Sequence, residues 1–384
     1  MAWKTVILAF VLLLWTHKGS DNGPIMQNAP LDGSLEIVFC GDLMQHMPQV
    51  RAAEALAGCG ERASRRASQA LAVPFSAPAA SAATVSGPDY RYCFAQVAPM
   101  WRGADFVVAN LETTLAAQGF SGYPHFVAPW QVARDAHRSG ITVMATANNH
   151  CCDNGARGIS QTIRYLDSLG IAHTGTWHDS TEWRTRNPLM LTKGPFRIAM
   201  LNYTYGTNGI AIPEGCVVSE IDTVRMAADI LAARSHGATD IIALMHWGEE
   251  YQPTPSPRQR EVALWLHRHG VGIVIGSHPH VVQPAEYYVA GADTLGVTVY
   301  SLGNFVSNQR RERTYGGICV RVRITAGEKH PRYTMDYWND YVSMDYKGRN
   351  YVVIPETLKD SLPPEQQAAF SRLISQQDNT AGLR

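Results

Sequence analysis

Gly272-Ile-Val-Ile-Gly-Ser-His-Pro-His280 is a short, β-branched apolar run that halts at a polar cluster with two imidazoles one residue apart. Runs this short and this rich in β-branched residues read as buried strands. The pattern recurs. Glu36-Ile-Val-Phe-Cys40 stops at Gly41-Asp42, Phe106-Val-Val-Ala109 at Asn110-Leu-Glu112, and Thr142-Val-Met-Ala-Thr-Ala147 at Asn148-Asn149-His150. Ile241-Ile-Ala-Leu-Met245 stops at His246, and Val297-Thr-Val-Tyr300 leads into Ser301-Leu-Gly-Asn304. Helical patterns lie between several of these runs. Residues 154–169 carry Ile159, Ile163, Leu166 and Leu169, with Gly170 as the stop. Residues 221–235 offer Val224, Ala228 and Leu231 before Gly237. Pro257 opens a stretch with Val262, Ala263 and Leu266 that Gly270 closes. Strand–helix alternation predicts an α/β layered fold. Ligands in such folds gather beyond the carboxyl ends of the strands, where all of these polar groups stand.

Taken together, Asp42, Glu112, Asn149, His150, His246, His278 and His280 mix carboxylates, an amide oxygen and imidazoles. Such a donor set suits Mn, Fe or Zn, and the lack of thiolate argues against a structural zinc site. Two such ions about 4 Å apart activate a water and clamp a phosphoryl group. A His-x-His pair on a strand end puts both imidazoles on one face, one for each metal. Each residue also has a plain structural reading: Asp42 as a turn or cap, Asn148-Asn149 as a turn, His246 as a core histidine. His17, His125, His137, His267 and His269 fall outside these strand ends and read as surface or amphipathic positions.

Composition narrows the classes. Of 384 residues, 45% are hydrophobic and 17% charged, a globular balance. Lys+Arg and Asp+Glu are both 33, so the electrostatic footprint of a nucleic-acid binder is absent. Lys4 followed by the apolar run Val6–Trp15 reads as an export signal, with an uncleaved anchor and a buried strand as the alternatives. Cys40, Cys59, Cys93, Cys151, Cys152, Cys216 and Cys319 form no C-x-x-C motif and read as incidental. Residues 52–88 are Ala/Ser-rich, helical at first and then loop-like, an insertion or a lid.

The chain resembles the CapA family, the bacterial capsule-synthesis proteins associated with poly-γ-glutamate. Gly41-Asp-Leu-Met44, Asn110-Leu-Glu112, Asn148-Asn-His-Cys-Cys-Asp153 with Gly155, and His246-Trp-Gly248 with Glu250-Tyr251 carry the likeness. Gly276-Ser-His-Pro-His-Val281 and Ser301-Leu-Gly-Asn-Phe305 complete it. The resemblance implies a calcineurin-like metallophosphoesterase fold, a sandwich of two β-sheets flanked by helices. It implies that Asp42 binds a first metal, that Glu112 bridges to a second, and that Asn149, His246 and His278 bind the second. His280 returns to the first metal. His150 stands over the substrate, oriented by Asp153, while Asn148 and Asn304 line the pocket. Ordinary metallophosphoesterases carry Asp-x-His on the first strand. Met44 stands at that histidine's place, and His46 is the candidate substitute.

The organisation implied is a signal peptide or anchor over 1–18, a linker over 19–34 and a CapA-like domain over 35–328 containing the 52–88 insertion. Strands and a short helix over 329–384 pack on the same domain. The cofactors expected are two divalent transition metals. The expected setting is the periplasm or cell envelope. Two functions stand open: hydrolysis of a phosphoester by a metal-activated water, or a non-catalytic scaffold that binds an anionic polymer or a membrane synthase.

Overall fold

Ile37 and Phe39 pack into one apolar cluster, whereas Val38 and Cys40 pack into another. This period of two is that of a strand buried on both faces. It sets the architecture of the computed structural model, which describes residues 33–57, 87–290, 293–327 and 330–381. The segments read as signal or anchor and linker (1–32), most of the insertion (58–86) and Cys59 lie outside the described residues.

The first half contains β1 (Ser34–Leu43), α1 (Met47–Ala57), α2 (Arg91–Phe94), β2 (Phe106–Leu111), β3 (Thr114–Ala116), β4 (Val127–Pro129), α3 (Gln131–Arg138), β5 (Val143–Ala145), α4 (Gly155–Leu169), β6 (Ala172–Thr174), β7 (Thr176–Trp177) and α5 (Ser180–Arg186). The second contains β8 (Leu189–Lys193), β9 (Phe196–Thr204), β10 (Val217–Val218), α6 (Thr223–Ser235), β11 (Asp240–His246), α7 (Pro257–Arg268), β12 (Ile273–Ser277), β13 (Val282–Ala290), β14 (Asp293–Leu302), β15 (Asn304–Val306), β16 (Gly316–Thr325), β17 (Arg332–Ser343), β18 (Val352–Pro355) and α8 (Pro364–Ala381).

One sheet runs β18-β17-β16-β1-β2-β5-β6, with β15 also pairing β1. The other runs β13-β14-β12-β11-β9-β8. The layer between them is built mainly of apolar side chains such as Phe39, Val108, Leu244, Ile275 and Val320, with buried polar groups at Asp240 and Asn202. Outside the first sheet, Val38, Val107 and Ala109 meet Phe94, Val132 and Phe370 of α2, α3 and α8. Outside the second, Leu201, Ala243 and Val274 meet Met226 and Ile230 of α6 and Val262 and Leu266 of α7. The result is helix, sheet, sheet, helix. β1, β2, β5 and β6 are mutually parallel, as are β9, β11, β12 and β14, so each sheet gathers carboxyl ends at one edge.

Local signals explain several boundaries. Gly170 ends α4 at φ 71, and Ser256 with Gln259 forms a capping box ahead of Pro257 at the start of α7. The expected apolar face of α6 is corrected. Val224 is 78% and Leu231 63% exposed, while Met226, Asp229, Ile230 and Ala233 are buried. Asp229 tolerates burial because it accepts from Tyr203 Oη (2.8 Å) and Asn187 Nδ2 (2.8 Å). His267 is also not a surface residue. It is buried, with Nδ1 2.8 Å from the Val271 carbonyl and Nε2 2.7 Å from Thr298 Oγ1. β8 and β13 carry no strand-end signal of the type followed above, whereas β9 does, in Ile198-Ala-Met-Leu201 halted by Asn202, and is an addition to the strands expected. The terminal helix runs to Ala381, past Ser375 where the sequence pattern fades. Cys40, Cys93, Cys151, Cys152, Cys216 and Cys319 are free thiols.

Candidate metal centre

Asp42 lies near the carboxyl end of β1, in register with Asn110 on β2 and Asn304 on β15. Gly41 permits this approach. The β1 register shifts there, and a Cβ on Gly41 would collide with the Gly303 carbonyl. Asn110 and Glu112, two residues apart, share one side. Asn110 Nδ2 donates to Asp42 Oδ1 (2.8 Å) and to Glu112 Oε2 (3.2 Å). From the other sheet, His246 closes β11. Its Nε2 is 2.9 Å from Asn149 Oδ1 and its Nδ1 is 3.1 Å from Ser277 Oγ.

His278 and His280 follow β12 in a tight loop rather than on the strand, a correction to the expected strand geometry. Both have positive φ, 96° and 57°, sparsely populated for residues with a side chain. This turn, not strand alternation, brings the rings to the same cleft, with centroids 6.0 Å apart. His280 Nδ1 is 3.1 Å from Asp42 Oδ2, and its Nε2 is 3.8 Å from Glu112 Oε1. The His278 ring packs 4.8 Å from that of His246 and 4.7 Å from that of Tyr205.

Two groups of potential ligand atoms result: Asp42 with Glu112 and His246, and Glu112 with His278 and His280. The atoms in each lie within 4.8 Å of one another. Glu112 belongs to both. Asp42, Glu112 and His246 are fully buried, His280 and His278 nearly so. Burial, then the negative charge of Asp42, holds the Glu112 carboxyl well above the usual range. Burial, then the neighbouring histidines, pushes His246 well below its ordinary value and His278 down to about 3. Glu112 Oε1 and His278 Nδ1 are buried without a hydrogen-bond partner among the described residues. Orphaned acceptors, neutral imidazoles and crowded carboxylates are a donor set that fits a divalent transition metal.

His150 sits beside this cluster. Its Nδ1 is 2.7 Å from Asp153 Oδ2, which also accepts the Phe126 N–H. The Phe126 ring stands edge-on to His150 (4.7 Å) and to His46 (4.9 Å). His46 lies outside both ligand groups. Its Nδ1 faces Gln49 Oε1 (3.2 Å) and the Asn308 N–H (3.4 Å), and burial lowers its pKa to about 4. Met44 is buried.

Asn148 braces the turn: Nδ2 donates to the Leu111 carbonyl (2.8 Å) and Oδ1 accepts the His150 N–H (3.1 Å). Asn304 Nδ2 donates to the Thr314 carbonyl and Gln309 Oε1, both at 3.0 Å, while its Oδ1 is buried and unpartnered among the described residues. Asn110, Ser277 and Tyr205 also shape the site. The Asn-x-Glu spacing signals Asn110. Tyr205 follows β9, a strand not read from the sequence.

The family model described as "Bacterial capsule synthesis protein PGA_cap" matches residues 36–309. The capsule biosynthesis protein CapA of Bacillus anthracis is 28% identical over 249 residues, covering 61% of this chain and 58% of the relative. The PGA biosynthesis protein CapA of Bacillus subtilis (strain 168) is 28% identical over 239 residues, covering 60% of each. The chain therefore spans about three fifths of the length of these relatives. Among solved structures, the sulfate thiohydrolase SoxB of Thermus thermophilus aligns with a TM-score of 0.45 at 15% identity, over 92% of this chain and 62% of that one. The 5'-nucleotidase of Candida albicans aligns with a TM-score of 0.42 at 11% identity, over 90% and 58%. The family match begins in β1 and runs past Asn304, so it contains every converging side chain described above; the chain belongs to the bacterial capsule synthesis protein (PGA_cap) family.

Proposed function

We propose that this protein is an exported, metal-dependent hydrolase of the metallophosphoesterase type, acting on a phosphoester in capsule or poly-γ-glutamate biosynthesis. The observation that carries the reading is Glu112, a buried carboxylate common to two ligand groups, with one oxygen unpartnered among the described residues. The two groups overlap, and the family resemblance divides them differently: Asp42, Glu112 and His280, whose Nδ1 is 3.1 Å from Asp42, would hold one metal, and Glu112, Asn149, His246 and His278, with His246 Nε2 2.9 Å from Asn149 Oδ1, a second. Divalent Mn, Fe or Zn bound there would supply Lewis acidity toward a phosphoryl oxygen.

The chain's own groups do the rest. Asp153 accepts a hydrogen from His150 Nδ1, which leaves Nε2 as the atom that carries a proton to a leaving oxygen. Protonated, the same ring stabilises charge on a phosphoryl group. Phe126 packs against the His150 ring and fixes its plane. Asn110 holds Asp42 and Glu112 together, so both carboxylates face one point. The substrate side is an anionic polymer or phosphoester, a membrane synthase is the expected partner, and the Lys4-led apolar segment is the basis for the envelope location.

A second reading has one observation in its favour. Met44 occupies a ligand position, and His46 Nδ1 is engaged by Gln49 and Asn308. An incomplete first site would suit a scaffold that binds the polymer without turning it over. Elemental analysis of chelator-free protein separates the readings, with about two metals per chain expected for the hydrolase. His150→Ala should then abolish phosphoester turnover with metal content unchanged. Failure to bind metal on reconstitution would refute the hydrolase. An intact Met1–Lys18 in the soluble fraction would refute export.

A further inference from the structure

The loop between β15 and β16 leaves the first sheet beside Asp42, and its Asn308 N–H points at His46 Nδ1 (3.4 Å). It carries Arg310, Arg311 and Arg313. Among the described residues none of the three has a carboxylate within ion-pair reach, whereas Arg321 and Arg323 on the following strand both meet Glu36. The nearest acid in sequence, Glu312, accepts instead from Gln376 Nε2 (2.8 Å).

Arg311 is exposed, and its guanidinium lies 4.3 Å from the Tyr251 ring centroid. Tyr251 is in turn 6.0 Å from the His280 ring. Tyr251 is held there by a positive-φ backbone (66°) and an N–H bond to the Pro279 carbonyl (2.8 Å), the peptide between the two site histidines. A guanidinium stacked on an aromatic face keeps its in-plane N–H fork free for an oxyanion. Arg310 turns to a different ring, Tyr351 (5.9 Å), where Nη1 donates to the Val342 carbonyl (3.3 Å) and Nη2 meets Met344 Sδ. Of the two, Arg311 alone stands exposed against a tyrosine that borders the site, with no carboxylate in reach among the described residues, so its N–H groups are available to an anion. Burial, then the neighbouring Glu250 carboxylate, raises the Tyr251 hydroxyl, and Arg311 acts in the opposite sense.

We infer that Arg311, stacked on Tyr251 at the edge of the cleft, binds a second anionic group of the substrate, a carboxylate or phosphate beyond the group that meets the metal centre. This rests on the cleft being a ligand site, not on hydrolysis taking place in it.

The test is equilibrium binding of an oligoglutamate and, separately, of inorganic phosphate to the full chain. Wild type, Arg311→Ala, Arg311→Lys and His150→Ala are compared at low and high salt. Arg311→Ala is expected to weaken binding about tenfold or more with its thermal midpoint unchanged, and Arg311→Lys to recover only part of it. A salt-sensitive, Arg311-dependent affinity for oligoglutamate alone identifies a chain carboxylate as the ligand. The same dependence for phosphate alone identifies a phosphate. Equal affinity in wild type and Arg311→Ala, or no binding of either probe by wild type, overturns the inference. Loss of turnover in His150→Ala with binding intact leaves it standing. Absence of turnover in every protein, with Arg311-dependent binding retained, removes the hydrolase reading alone.

Discussion

Asp240 opens β11 at the end opposite His246, and it is 5% exposed. Its Oδ2 accepts from Tyr333 Oη and its Oδ1 from the Ile241 N–H, both at 2.9 Å. Burial outweighs these two bonds and raises the carboxyl from 3.8 to about 7. The sign follows from linkage. The folded pKa lies above the unfolded one, so the stability this group contributes is fully present below pH 3.8 and is lost as pH rises through 7. A gap of about 3 between the two pKa values corresponds to about 4 kcal/mol, an upper bound because the folded state relaxes around the charge. Asp240→Asn keeps the shape, keeps an acceptor for Ile241 and offers Tyr333 Oη an N–H. The variant should therefore match wild type within about 0.5 kcal/mol at pH 4 and exceed it by about 2–4 kcal/mol at pH 8. Urea midpoints of both proteins at the two pH values measure this, because groups common to both cancel in the difference. An equal gain at both pH values, or none at pH 8, would refute the reasoning: burial would then not be what governs this carboxyl.

Other outcomes follow from the same packing and site geometry. Ile230→Ala on the buried face of α6 should cost about 2–4 kcal/mol, whereas Leu231→Ala, one residue on and mostly exposed, should stay within about 0.5 kcal/mol in thermal denaturation. Glu112→Gln removes a buried carboxylate next to Asp42, so it should lower metal content while raising the thermal midpoint of chelator-treated protein. Unchanged metal content would count against Glu112 as a shared ligand, and a lower midpoint of the chelator-treated variant would count against repulsion with Asp42. Asp153→Ala would remove the oxygen that accepts from His150 Nδ1 and leave the ring's tautomer and plane unfixed. Turnover should drop about 100-fold or more with metal content unchanged, and single-turnover kinetics would detect a smaller loss.

The layered fold was legible because its parallel strands are buried on both faces and end abruptly. Ile273–Ser277 and Asp240–His246 are apolar runs that stop at the residues of the cleft. Two of the strands missed are of another kind: β8 is the half-exposed outer strand of a hairpin and β13 runs antiparallel at a sheet edge, so neither is an unbroken apolar block closed by a polar one. β9 does carry the pattern, as Ile198-Ala-Met-Leu201 stopped by Asn202, and was passed over. The α6 face misled because helical spacing alone fits both Val224–Ala228–Leu231 and Met226–Ile230–Ala233. The choice was made by Asp229, whose partners Tyr203 and Asn187 lie far away in sequence. In the cleft, residue type and strand-end position brought Asp42, Glu112, Asn149, His246, His278 and His280 together. The left-handed turns at His278 and His280 carry no such signal, because proline between two histidines does not specify them.

Those turns are central to how the cleft holds together. Both sheets are joined by a mainly apolar layer that includes Phe39, Val108, Leu244 and Ile275. That layer supplies the stability, and the polar edge above it works against it. Two carboxylates face each other across Asn110, three imidazoles crowd within a few ångströms, and two of those histidines sit in disfavoured backbone. Burial drives Glu112 toward its protonated form and His246 and His278 toward their neutral forms. No proton count satisfies all of these groups, because a proton that relieves Glu112 adds nothing to the lone pairs of the histidines. A divalent cation relieves both at once, since it offsets the negative charge and coordinates neutral nitrogen. Asp42, Glu112, His246, His278 and His280 are thus a set whose crowding a shared positive charge would relieve, and on the proposed reading Arg311 on Tyr251 would extend that positive field outward toward an anionic ligand.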